Sequence, residues 1–440
     1  MSESANVSHI HNVGDVGISC NRPGNTYEDI TIRRLHIHDT GTGGGPGECM
    51  YLGCNNNDCQ MWDSLIEFNW CHDTLAGSQG DGIELKTGSY NSVIRHNVVH
   101  DVKYPGITVY GTVDNKPANI VEGNAVWNVV DNGIQTVGDV IVRNNIVMSV
   151  GASGIAAKPS QGEIVENLEV VYNTVVGAGD ACLRGNELPM GSNNVFANNA
   201  LYCGATSAIK FPQGPGDAAV ANNAVVGALN GQDMGTLDGI DPATAFLDAD
   251  NMELYPSAQG PLVDAGSSDH SAAEDFNCLA RDNGEPEIGA YDNAASPDAN
   301  PGWVVQEGFK ECADDGGETT GTTGDPTSGG ETTGDSGDTD GGETTSTTDG
   351  PDTGEETTSS STTGDEPCFS SGCDPTSDPS TTAGDESAGA TGTDTEADAD
   401  GDEGCGCAQS GADSSAPGWQ LLMLLLGAGL LRRRGCAELS

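Results

Sequence analysis

Apolar and polar residues alternate in short runs through the first half of the chain, and the runs break at Gly, Asn or Asp. The segments "IEFNWCHD", "IRHNVVHD", "VEGNAVWN", "VRNNIVMS", "VVYNTVVG", "FANNALYC" and "VANNAVVG" align on Asn69, Asn97, Asn124, Asn145, Asn173, Asn199 and Asn223, spaced by 28, 27, 21, 28, 26 and 24 residues. "IRRLHIHD" is an earlier copy with Leu35 in the asparagine's place. A second landmark follows in later copies: "DGIELK", "PGITVY", "NGIQTV", "SGIAAK" and "SAIKFP". Period-two alternation between turn residues predicts two or three short strands per copy, and no segment carries a ten-residue helical pattern. A unit this small cannot close a core alone, but stacked units can. Stacking by backbone pairing sets equivalent residues ~4.8 Å apart. The asparagines then form a ladder in which each amide bonds the next and satisfies buried polar groups at a turn.

A leucine-rich repeat also has a period in the twenties and an asparagine ladder, but it wants LxxLxL, and leucine is scarce here. The better expectation is an all-β, right-handed parallel β-helix. On the asparagine and Gly-Ile positions, residues 5 to 235 resemble the pectate-lyase-like, right-handed β-helix repeat family. Coils are assigned to 1–235. Residues 236–312 follow as a cap, because the last coil leaves strand edges and an apolar face to cover. "PSAQGPLVDAGSSDHSAAEDFNCLARDNGEPEIGAYD" resembles the closing segment of choice-of-anchor proteins at Pro261, Asp264, Ala265, Gly266, Asp275, Arg281, Ile288, Gly289, Ala290 and Tyr291. Asp264, Asp275 and Arg281 are read as structural ion-pairing residues.

Composition divides the rest. Residues 313–404 hold 25 acidic and no basic residues among Thr, Gly and Ser, which predicts a disordered, self-repelling acidic linker. The net charge is −51, and residues 1–312 still carry 40 acidic against 13 basic residues. Such a surface repels phosphate backbones and excludes nucleic acid as a partner. It also disfavours polyanionic sugars unless a cation or a basic patch intervenes. The 14 cysteines show no paired CxxC motifs. Cys54 with Cys59 and Cys368 with Cys373 read as small disulfide loops, and Cys182 with Cys203 as a bridge between neighbouring coils. Free buried thiols are the alternative for Cys71 and Cys182. This density, with a Thr/Ser stalk, points to an oxidising, extracellular setting.

The N-terminus has no basic start and no apolar run, so no signal peptide is expected in this chain, whose true start is expected upstream. In 405–440, the apolar run from Trp419 to Leu431 predicts a short hydrophobic helix, below the ~20 residues of a full span. With cysteines before it and Arg432, Arg433 and Arg434 after it, the tail resembles the myxobacterial C-terminal sorting signal. That resemblance implies processing near Cys405 or Cys407 and anchored display at the outer membrane. The alternative is an intact weak membrane anchor.

Stacking on the Gly-Ile landmark turns Ile83 and Leu85 inward and gathers Glu48, Tyr51, Asp81, Glu84, Lys86, Tyr104, Thr108, Tyr110 and Gln135 on one lateral face. Aromatic rings suit pyranose stacking and carboxylates suit sugar hydroxyls. Tyr51, Glu48, Tyr104, Thr108 and Gln135 are therefore assigned to substrate binding. "GDGIELK" resembles the lysine-bearing coil of β-helix polysaccharide lyases. The resemblance implies Lys86 as a base with a pKa lowered by burial, Ca2+ on Asp81 and Glu84, and Tyr110 as proton donor. The next coil, "YPGITVYG", lacks the acids or arginine those families place there. Hydrolysis would instead need two flanking carboxylates among Asp81, Glu84 and Glu48. His11, His38, His72 and His100 also align, with Asp39, Asp73 and Asp101 beside them, as metal ligands or as ordinary Asp turn chemistry. The expected function is contact between a monomeric surface protein and extracellular polysaccharide, binding it without turnover. The alternative is a lyase or glycoside hydrolase.

Overall fold

The computed structural model describes residues 7–75, 79–231, 236–238 (backbone only), 241–270, 272–281, 284–292 and 302–312. The stalk and tail assigned to 313–404 and 405–440, with Cys368, Cys373, Cys405, Cys407 and the hydrophobic helix, lie outside the described residues. Among the described residues, no helix is long and apolar enough to cross a membrane.

The coils wind as a right-handed parallel β-helix with three columns of short strands. One column is Thr31–Arg33, Leu65–Glu67, Val93–Arg95, Asn119–Glu122, Val140–Arg143, Glu169–Val171, Val195–Ala197 and Ala219–Ala221. The second begins at Ser8–His11 and continues through Leu35–Thr40, Trp70–Thr74, Val98–His100, Ala125–Trp127, Ile146–Val150 and Thr174–Ala178. The third holds Ile18–Cys20, Met50–Leu52, Ile83–Leu85, Ile107–Val109, Ile134–Thr136, Ile155–Ala157 and Ala181–Gly185. The second and third columns merge in the long strands Ala200–Lys210 and Asn223–Asn230.

Register explains the alternation. Ile66, Ile94, Val121, Val142, Val170 and Phe196 pair in one row and are all buried, while Glu67, Arg95, Glu122 and Arg143 alternate outside them. The Gly-Ile landmark has a steric cause. A Cβ on Gly82 would meet Val99 Cγ1 at 2.4 Å, and one on Gly106 would meet Val126 Cγ1 at 2.4 Å. Only glycine lets the facing valine of the adjoining column pack there.

The asparagine ladder is present. Asn97 Nδ2 donates to Asn124 Oδ1 at 3.0 Å, Asn124 Nδ2 to Asn145 Oδ1 at 2.9 Å and Asn145 Nδ2 to Asn173 Oδ1 at 3.0 Å. It runs from Leu35, whose N–H donates to Asn69 Oδ1, to Asn223. The residue before each asparagine turns the chain with positive φ, for example 55° at His96 and 54° at Asn144. The ladder fixes that costly backbone conformation.

The described residues of 242–312 run back along the outside of the coils as a strap. Asn198 and Tyr172 bond the carbonyl of Ser267, Asn144 Nδ2 donates to the Glu274 carbonyl, Lys310 Nζ reaches the Gly123 carbonyl, and Phe309 lies edge-on to Trp70. Phe246, Tyr255, Phe276 and Ile288 pack on Ala125, Ile146, Met148 and Tyr202. The apolar face that this segment covers is thus a flank of the second column. Asp275 accepts backbone N–H groups of Asn277, Leu279 and Asp292. Arg281 donates to Asn144 and to the Gly289 carbonyl and lies over the Tyr172 ring. The printed contacts of the two are turn capping and carbonyl bonding, and each charge offsets part of the cost of burying the other. Asp264 sits at a turn with φ 54°.

Cys54–Cys59 and Cys182–Cys203 are disulfides as expected. Cys71 is not a free thiol: it pairs with Cys49 across the core, between the second and third columns. Cys278–Cys312 closes the strap. These bridges belong in an oxidising compartment, consistent with an extracellular or envelope location.

Candidate functional site

Pairing places Tyr51, Glu84, Thr108 and Gln135 in one row across four coils, Glu84 opposite Tyr51 on one side and Thr108 on the other. Asp81 lies at the turn before Ile83, next to Glu48, because the Cys49 N–H donates to the Asp81 carbonyl. Glu48, Asp81 and Glu84 each bring a carboxylate oxygen within 4.8 Å of the others, and all three are buried. The Gly47 N–H donates to Glu48 Oε2 at 3.0 Å, and Thr108 Oγ1 donates to Asp81 Oδ1 at 2.8 Å. Glu48 Oε1 and Glu84 Oε2 are buried with no hydrogen-bond partner.

Lys86 is also buried. Its Nζ donates to Glu84 Oε1 at 2.5 Å and lies 4.6 Å from the Tyr51 ring centroid and 4.9 Å from that of Tyr110. The Tyr110 hydroxyl donates to the same Glu84 oxygen at 3.3 Å. The Glu84–Lys86 pair is buried, and one expectation changes. Burial pulls the Lys86 ammonium down, but Glu84, Tyr110 and Tyr51 more than offset it, so Lys86 holds its proton more tightly than an ordinary lysine. Lys86 is therefore no ready base in this state.

Burial has the opposite effect on the acids. It pushes the Glu48 carboxyl up to about 7, with a hydrogen bond from the residue's own backbone opposing the rise and Glu84 adding to it. It raises Asp81 well above the usual carboxylate range, again with Glu84 contributing. Tyr110 is raised by burial and by Glu84. Three acids share one lysine, and two oxygens lack donors. Protons or a bound cation must make up the difference. An all-oxygen donor set suits a hard cation such as Ca2+. Glu48 thus joins Asp81 and Glu84 as a candidate ligand, a role its alignment with Asp81 on the Gly-Ile landmark signals.

The remaining expected binding residues are less tightly gathered. Gln135 is buried and its Oε1 accepts from Asn132 at 3.0 Å. Tyr104 is exposed, tied through its N–H to the Gly80 carbonyl one residue before Asp81. A depression beside Tyr51 is lined by Asn21, Pro23, Cys54, Asn55 and Asp58. Sequence reasoning did not reach Asn21, Asn55 or Asp58, because the turns that carry them have no repeat signal.

The histidines on the second column also stack as the alignment requires. His11, His38, His72 and His100 lie 5.2, 5.0 and 4.9 Å apart, ring over ring, and Trp127 continues the stack at 4.5 Å.

Comparison with known proteins agrees on the coil. A family described as right handed beta helix region matches residues 16–201. Among solved structures, a pectate lyase is similar at 13% identity over 64% of this chain and 88% of that one, with a TM-score of 0.33. A periplasmic alginate epimerase shares 15% identity over 47% of this chain and 49% of its own, at 0.22. The A-module of the Azotobacter vinelandii mannuronan C-5 epimerase shares 14% over 48% and 64%, at 0.26. The chain spans about half the length of the alginate epimerase. Likeness this distant concerns the coil and not its chemistry. No curated protein sequence matches the chain.

Proposed function

We propose that the face around Glu48, Asp81 and Glu84 binds extracellular polysaccharide with the help of a Ca2+-class cation and does not cleave it. The observation that carries this reading is the pair of unpartnered buried oxygens, Glu48 Oε1 and Glu84 Oε2, in a cluster of three carboxylates. The cation, held by the three acids, would supply positive charge inside an acidic wall and lower the repulsion toward a uronate sugar. The sugar itself would meet the half-buried Tyr51 and Tyr110 and the neighbouring Asn21, Asn55 and Asp58.

A second reading, β-elimination with Lys86 as base and Tyr110 as proton donor, is favoured by one observation: both groups converge on the same Glu84 oxygen. Hydrolysis fits less well. Oxygens of the three carboxylates within 4.8 Å of one another leave no room for the water of an inverting pair, whose carboxyl groups stand ~6.5–9.5 Å apart. The experiment is affinity electrophoresis over neutral and uronate polysaccharides, with Ca2+ or EDTA, alongside ultraviolet detection of unsaturated uronate ends. Ca2+-dependent retention, weakened by Tyr51→Ala and without new unsaturated ends, supports binding. Unsaturated ends that disappear in Lys86→Ala establish the lyase instead, and no retention on any polymer sinks both.

We further propose display at a bacterial cell surface, with the folded part carried on the 313–404 stalk and processed near Cys405 or Cys407. The supporting features are the sequence of the tail and the disulfides of the coils. Mass spectrometry of the mature C-terminus on envelope fractions decides it: a retained Arg432–Arg434 cluster rules processing out.

A further inference from the structure

Six of the chain's eight histidines, His9, His11, His36, His38, His72 and His100, lie on the outer side of the first coils of the second column. Their hydrogen bonds determine which ring nitrogens carry lone pairs. His38 Nδ1 lies 2.8 Å from Asp39 Oδ2, His72 Nδ1 2.8 Å from Asp73 Oδ2 and His100 Nδ1 2.6 Å from Asp101 Oδ2. A carboxylate only accepts, so each Nδ1 bears the proton and each Nε2 carries a lone pair. His100 confirms the assignment: its Nε2 accepts from Trp70 Nε1 at 2.9 Å and is thereby used up.

His72 passes the constraint on. Its Nε2 lies 2.7 Å from His36 Nε2 and can only accept, so His36 donates from Nε2. The lone pair of His36 is then on Nδ1, which lies 3.1 Å from His9 Nδ1. The His36 ring is held in place by Trp70, stacked at 3.8 Å. His9, His36 and His38 each place one ring nitrogen within 4.8 Å of the others.

We propose that His9, His36 and His38 form a binding site for a divalent transition metal of the Zn2+ or Cu2+ class, with Asp39 and the His72–Asp73 pair fixing the ring protons of the ligands. Imidazole donors select these ions over Ca2+, so this site and the carboxylate cluster take different metals. Three protein ligands leave a fourth position for water or an exogenous donor. Exposure of His9 gives an ion an entry path.

The test uses the full chain, stripped with EDTA and titrated with Cu2+ for electron paramagnetic resonance and with Zn2+ for calorimetry. The expected result is one tight equivalent, with Cu2+ showing coupling to several nitrogens, which separates it from ions on the acidic stalk or on thiols. His36→Gln and His38→Gln should each lower affinity at least tenfold. Asp73→Asn, which removes no ligand, should lower it about 10- to 100-fold by freeing the His72 and His36 protons. His270→Gln should leave it unchanged. Oxygen- or sulfur-only coupling in the first equivalent, or tight binding that survives His36→Gln, overturns the site. Unchanged affinity in Asp73→Asn overturns the proton relay. If the histidine variants fail to fold, protection of His9, His36 and His38 of the unaltered protein from diethylpyrocarbonate by Zn2+, mapped on peptides, decides the matter, and equal modification with and without Zn2+ overturns it.

Discussion

Glu84 shows how much of a residue's chemistry is set by its surroundings and how little by its type. The alignment placed it correctly between Tyr51 and Thr108, since register in a coil is a matter of counting. Counting does not show burial, and burial decides the electrostatics. Lys86, expected as a base with depressed pKa, is instead locked to Glu84 at 2.5 Å. Removing one partner of such a pair leaves an uncompensated buried charge, at a typical cost of about 3–5 kcal/mol. Lys86→Met should therefore destabilise the protein by that order in urea unfolding. Lys86→Met combined with Glu84→Gln should recover most of the loss, because the buried charge goes with its partner. A double variant no more stable than the single one would mean that Lys86 also compensates Glu48 and Asp81.

At the scale of the repeating element, the coil was legible because each strand touches its sequence neighbours one coil away, so the pattern is local and recurs. Asn145 is a representative rung. Its Nδ2 donates to the carbonyls of Val121 and Arg143 and to Asn173, and its Oδ1 accepts the N–H and Nδ2 of Asn124. Asn145→Ala leaves several of these groups buried without partners. At ~1–3 kcal/mol for each unsatisfied group, the loss should reach at least about 3 kcal/mol in equilibrium unfolding. Asn223→Ala near the end of the ladder should cost less, since its Nδ2 donates to the Phe196 carbonyl where Asn145 Nδ2 donates to two carbonyls and to the next asparagine. Equal costs would show that the ladder does not act rung by rung. Glycine gives a second test. Gly106→Ala pushes a methyl into Val126 and the Gly133 carbonyl and should cost ~1–3 kcal/mol by overpacking. The Cys49–Cys71 bridge was not legible, because it joins two columns across the core and no spacing rule marks such a pair. The strap was legible as a segment but not in its path, since its contacts with Asn144, Tyr172 and Gly123 lie about 90 to 190 residues away in sequence.

For the whole molecule, pH and Ca2+ should act on one another through the carboxylate cluster. Glu48 is raised from 4.5 to about 7, so the fold binds a proton there that the unfolded chain releases earlier. This contribution is present below pH 4.5 and is lost as pH rises to about 7, on the order of 3 kcal/mol. The net pH curve will not show it cleanly. His36, lowered to about 4, and His96, lowered to about 2 by burial and by Lys310, are charged in the unfolded chain and neutral in the fold. Their contributions rise as pH rises toward 6.5 and oppose that of Glu48 over the same range. Lys310, brought down to about 7 by burial, adds stability above pH 7. The difference between unfolding in Ca2+ and in EDTA removes these common terms. If the cluster holds the cation, that difference should be small at pH 5, where a proton occupies Glu48, and should widen as pH passes 7. Glu48→Gln keeps a neutral group where the fold prefers one, so relative to the unaltered protein in EDTA it should gain stability from pH 5 to pH 8. The same variant should lose much of the Ca2+ response. A Ca2+ increment that is constant with pH, or that survives Glu48→Gln, would place the ion outside this cluster and remove the charge argument for polysaccharide binding at this face.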